Sequence, residues 1–153
     1  MKLDLLLQSL GAALGMNDLA LNEHGVVSLE FEGRYRITIE PDPDGEFFHL
    51  YSPLCRIPED AAARYSLYEA LLTANCYGRG TLGSSFAIDE ASAEVVLGRR
   101  FDGESTQGQE LVDALRGQLT VLDHWHTLLP EVLHPAAAHA EMSFESTSQL
   151  LRA

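Results

Sequence analysis

The stretch Asp60–Asn75, DAAARYSLYEALLTAN, decides the fold. Leu67, Leu71 and Ala74 recur at three- and four-residue spacing and share one helical face, while Tyr68 and Leu72 carry the apolar surface round to a neighbouring face with Tyr65 and Cys76. Pro58, Glu59 and Asp60 suit the start of such a helix, because a proline and acidic groups fit its first turn and its dipole. Asn75 and Gly78 suit its end. One apolar face can cover a sheet of the same chain. The second needs another cover, either a single domain that buries the helix on all sides or a symmetry-related copy of the same helix.

Upstream, Leu3, Leu7, Leu10 and Leu14 form one seam of a first helix that Gly15 stops, with Leu5 and Leu6 beside the seam and widening its apolar arc. Asn22–Gly25 is turn chemistry. Val27, Leu29 and Phe31 then alternate with Ser28, Glu30 and Glu32, and after Gly33 the residues Tyr35, Ile37 and Ile39 alternate with polar ones, which predicts an antiparallel hairpin with one face in the core. Pro41–Gly45, PDPDG, is a strong turn signal. Phe47–Ser52 reads as a third strand that is apolar on both sides, Phe48 and Leu50 facing one way and Phe47 and Tyr51 the other, so one side is expected to serve a partner or a second layer.

Downstream, Gly78–Gly83 is a glycine-rich connection, and Ser85–Asp89 with Glu94–Phe101 reads as a second strand–turn–strand unit. Leu111, Leu115, Leu119, Leu122, Trp125 and Leu128 mark a third helix, expected to stop at Leu129 because Pro130 follows. The expected class is α+β, an antiparallel β-sheet of about five strands with three α-helices in the order α-β-β-β-α-β-β-α. Residues 1–130 are expected to form one domain. Residues 131–153, rich in Ala, Ser, Thr and His and ending in the apolar pair Leu150 and Leu151, are expected to be a mobile tail or a loosely docked short helix.

A chain of 153 residues, 46% hydrophobic and 22% charged, can bury one substantial core. Its formal charge of −13 repels phosphate backbones and anionic membrane surfaces, so nucleic acid is not an expected partner. No run approaches the roughly 18 apolar residues of a spanning helix, so no membrane insertion and no export signal are expected. Cys55 and Cys76 sit among apolar neighbours and read as buried free thiols of a reducing, cytoplasmic compartment.

Signals for chemistry are poor. Gly78, Gly80 and Gly83 spell GxGxxG, but a helix precedes and a strand follows, the reverse of a pyrophosphate-binding turn. Glu40, Asp42 and Asp44 resemble the start of a calcium loop, yet Tyr51 stands where the closing bidentate Glu belongs. His124 and His126 are two apart on a helix and point in different directions, so one ion cannot take both. Ser84 and Ser85 lack a nucleophile elbow, and neither cysteine carries a catalytic signature. No catalytic residue, cofactor or metal site is expected.

The element order, carried by LLLQSLGAALGM, LALNEHGVVSLEF, ITIEPDPDGEFFHLYSPL, LYEALLTANCYGRGTLGSSFAIDEASAEVVLGRRF and LVDALRGQLTVLDHWHTLL across roughly residues 3–129, resembles the class I chaperones of type III secretion, the Tir-chaperone family. The resemblance implies a bacterial cytoplasmic homodimer, paired through the central helix and a nearby strand, that holds the N-terminal segment of a secreted effector in extended form without acting as an enzyme. It implies a dimer interface at Tyr65, Tyr68, Leu72 and Cys76. Effector contact is expected at Leu5, Leu6, Val26, Phe47 and Tyr51, where apolar anchors and strand surface are combined. Two other readings stand beside it: a small acidic α+β ligand-binding or enzymatic domain, and a scaffold or regulator dimer of the same fold.

Overall fold

A computed structural model describes residues 2–135. The chain runs α1 (Lys2–Leu14), β1 (Val27–Phe31), β2 (Tyr35–Pro41), β3 (Phe47–Arg56), α2 (Ala61–Asn75), a 3-10 turn (Cys76–Gly78), β4 (Ser85–Asp89), β5 (Glu94–Asp102) and α3 (Gly108–Leu133). The five strands form one antiparallel sheet in the order β1-β2-β3-β5-β4, so the α+β class and the element order match the sequence expectation.

Register follows the alternation of side chains. Val27 lies opposite Ile39, Leu29 opposite Ile37 and Phe31 opposite Tyr35 on the core side, while Glu30 meets Arg36 on the outer side. β3 extends beyond the expected Ser52 and passes through Pro53. It can do so because its ladder to β2 ends at the pair Thr38 and Tyr51, and its register to β5 shifts between Pro53 and Cys55.

The core has two adjoining parts. Leu3, Leu6, Leu7 and Leu10 of α1 pack with Val27, Leu29, Ile37, Ile39, Phe48 and Leu50 of the sheet and with Leu111 and Leu115 of α3. Leu67 and Leu71 of α2 pack with Leu54, Phe86, Val95 and Leu97 of the sheet and with Val121, Leu122, Trp125 and Leu129 of α3. α3 spans both parts and joins them.

Two expectations need correction. Leu6 belongs to the core and is only 5% exposed, because α1 is covered by the sheet and by α3 together and buries a wider arc than one seam. α3 does not stop at Leu129 but continues through Pro130 to Leu133. The proline removes one backbone donor, yet the His134 N–H donates to the Pro130 carbonyl (3.1 Å), and Val132 and Leu133 pack on the second core part, so tertiary contacts carry the last turn past it. Of the tail expected over residues 131–153, residues 131–133 are the last turn of α3, and those from 136 onward lie outside the described residues.

Gln118, on the buried side of α3, is 1% exposed. Its amide donates to Ser52 Oγ (3.0 Å) and to the Leu97 carbonyl (3.1 Å), and its Oε1 accepts from Ser84 Oγ (3.3 Å). A polar side chain thus ties α3 to β3, β5 and the loop before β4 with its hydrogen-bonding capacity largely used.

Candidate interaction surface

α2 starts where the Asp60 carboxylate accepts the Ala63 N–H (2.8 Å), capping the first turn. It ends at Asn75, whose carboxamide bonds a strand rather than its own helix. The Asn75 Nδ2 donates to the Phe86 carbonyl (3.0 Å), and its Oδ1 accepts the Phe86 N–H (2.7 Å). β4 is an edge strand, and Asn75 takes the backbone groups of its second residue. That clamps α2 beside β4 and blocks part of the edge against strand addition, so a partner on this side is gripped mainly by side chains. The sequence showed Asn75 only as a helix stop.

Two faces of α2 separate cleanly. Leu67 and Leu71 are buried against the sheet and α3, while Leu72 is 70% and Tyr65 71% exposed. Tyr68 is half-buried; Cys76, expected to be buried, is exposed because it lies in the turn beyond the end of α2, and Cys55 is only partly buried. Leu72, Tyr68 and Asn75 border an apolar hollow of about 250 Å³ whose other wall is Phe86, Ala87 and Ile88 of β4, and Ile88 is also exposed. The structure therefore brings Tyr68 and Leu72 together with an exposed residue of the edge strand, Ile88, that the sequence reading did not single out. Tyr77 follows in the left-handed backbone region (φ 56°), which holds its ring in solvent.

Of the other singled-out residues, Val26 and Tyr51 meet at a depression of about 330 Å³ on the outer face of the sheet. Tyr51 also lines a larger one, about 740 Å³, with Glu40, His49 and Arg100. The Tyr51 hydroxyl donates to Glu40 Oε2 (2.8 Å); burial first, then this carboxylate, raise its pKa above the usual tyrosine value. Phe47, half-buried on the same outer face of β3, lies under the Arg100 guanidinium at 3.5 Å from the ring centre. Arg100 in turn meets Asp42 (3.3 Å), which also pairs with His49 (2.9 Å), so Asp42, one of the residues that resembled a calcium loop, serves a polar network beside Phe47. Leu5 is exposed on α1, in the helical layer and across the sheet from Phe47 and Tyr51, and Leu6 is in the core, so the five residues do not form one patch.

The glycine turn is built for chain geometry. Gly78 and Gly83 have positive φ (65° and 90°), and a Cβ on Gly80 would stand 2.9 Å from Ala74 Cβ. His126 packs its ring on Tyr35 at 5.4 Å between centres. Among the described residues no group of three His, Cys, Asp or Glu side chains is gathered as a metal ion would require, and no helix is long and apolar enough to cross a membrane.

This architecture is shared with solved structures. A chain of the HopA1–SchA chaperone–effector complex superposes with a TM-score of 0.66 at 18% identity, covering 81% of this chain and 92% of its own. A chain of the ExsC–ExsE complex gives 0.67 at 21%, covering 84% and 93%, and a chain of the ExoU–SpcU complex from the type III secretion system of Pseudomonas aeruginosa gives 0.58 at 19%, covering 86% and 98%. No curated protein matches in sequence. Residues 5–126, the span from α1 well into α3, match the model of the Tir chaperone protein (CesT) family, and the chain belongs to that family.

Proposed function

We propose that this protein is a type III secretion chaperone: a homodimer that binds the N-terminal segment of a cognate effector in extended form, keeping it soluble and competent for export. The observation that carries the reading is the face of α2 and β4, where Tyr65, Leu72 and Ile88 stand in solvent and Leu72 and Ile88 border one apolar hollow. A twofold copy covers that face, with Tyr65, Tyr68, Leu72 and Cys76 in the contact. Pairing of this kind is isologous, so each residue counts twice.

Effector contact falls to Leu5 on α1 and to Val26, Phe47 and Tyr51 on the outer face of the sheet; Leu6, in the core, takes no part in it. An extended segment that passes from the sheet face round to the helical layer reaches both sets, which suits an unfolded client better than a globular one. Each large side chain fully buried contributes about 1.5–3 kcal/mol, so a few anchors per protomer offset the roughly 2–5 kcal/mol of ordering a disordered segment. The work is binding without chemistry, and its place is the bacterial cytoplasm, before export. HopA1–SchA, described as a chaperone–effector complex, supports the same reading by likeness of fold.

The test is co-purification from the source bacterium followed by limited proteolysis of the captured protein. A short protected segment near the partner's N-terminus is the expected result. A monomer that protects no segment would overturn the reading.

A further inference from the structure

On the flank of α2 turned away from β4, α2 and α3 leave a second groove of about 650 Å³. It is lined by Ala70 and Ala74 of α2 and by Trp125, Leu128 and Val132 of α3, and it runs out at Pro135, the last described residue. We propose that this groove is the docking site of the chain's own C-terminal segment, residues 136–153.

Four observations favour that occupant. Pro135, the residue before the segment, itself lines the groove, so the segment starts in place. Its reach is sufficient: Trp125 to Pro135 spans about 15 Å along the helix, and Phe144, nine residues beyond Pro135, can lie up to about 30 Å away along an extended chain. Its chemistry fits, since AAAHAEMSFESTSQLLRA carries the large apolar residues Met142, Phe144, Leu150 and Leu151, and the small Ala70 and Ala74 leave room for bulky groups. Finally, a segment tethered so closely is present at an effective concentration of about millimolar, which a free partner would have to exceed. The dimer face lies on the other flank of α2, so this docking is independent of the chaperone reading and stands or falls separately.

Methyl-labelled full-length protein tests it by nuclear magnetic resonance. Cross-relaxation is expected between Phe144, Leu150 or Leu151 and the methyls of Ala70, Ala74, Leu128 or Val132, unchanged on dilution. Replacing the three tail residues together (F144S, L150S, L151S) is expected to shift those methyls and leave Ile39, in the other part of the core, where it was. Absence of the cross-relaxation in the unaltered chain would overturn the proposal. So would contacts that vanish on dilution, which would give the groove to a second copy.

Discussion

Leu72→Asp is the substitution that most sharply separates the two faces of α2. A fully buried leucine contributes about 1.5–3 kcal/mol, and seven-tenths of Leu72 is still exposed in the protomer, so covering it is worth about 1–2 kcal/mol. The twofold doubles this to about 2–4 kcal/mol per dimer, and Leu72→Ala alone should weaken dimerisation roughly 30- to 700-fold at 1.4 kcal/mol per decade. Aspartate goes further, because it would bury an unpaired carboxylate at the contact. Sedimentation equilibrium over a range of concentrations reads the dissociation constant, and circular dichroism checks that the protomer stays folded. Leu71, one position along, is the contrast: it is 5% exposed beside Phe86 and Leu122, so Leu71→Asp should lower the thermal midpoint and lose helix content. A Leu72→Asp protein that dimerises as tightly as the parent would refute the assignment of the faces.

Phe47→Ala with Tyr51→Ala should weaken effector-segment binding about 10- to 100-fold by calorimetry, since each half-buried ring has about 1 kcal/mol left to give, while the oligomeric state stays unchanged. Gln118→Leu keeps the volume but strips partners from Ser52, Ser84 and the Leu97 carbonyl; a loss of about 2–4 kcal/mol, seen as a fall of roughly 5–15 °C in thermal midpoint, is expected, and an unchanged midpoint would mean that the network contributes nothing net. Burial, with Glu94 adding to it, pushes the Cys55 thiol up to about 11, so at pH 8 it stays protonated; in the Leu72→Asp protomer, where no partner copy covers Cys76, Cys55 should react with a thiol reagent far more slowly than Cys76. Mass spectrometry of labelled peptides from pH 7 to 10 should show Cys55 labelling accelerating as pH rises, and equal rates at pH 8 would contradict it.

Periodicity made the architecture legible because most elements have one buried side, and two-residue or three-to-four-residue spacing records which side that is. Ile37 and Ile39 on β2, and Leu67 and Leu71 on α2, lie where their spacing put them. The failures have a common cause in tertiary context. Leu6 is covered from two directions and Pro130 is held in a helix by packing of the following turn, neither of which a single-element pattern records. Gln118 is a polar residue on the apolar stripe of α3, and its partners, 66 and 34 residues away, make its burial favourable. Asn75 was visible as a stop signal, but its bond to Phe86 depends on a turn whose path spacing does not encode. The interaction surface was readable only as an excess of apolar residues on α2 and β3, and the part played by β4 required knowing which strand lies at the edge.

The most direct test of the central claim is the mass and protease resistance of the isolated complex with its secreted partner. Two protomers bound to one partner molecule, with a short N-terminal segment protected and yet lacking the slow amide exchange of a folded domain, is the predicted result. A single protomer bound to a compact, slowly exchanging partner domain would contradict it.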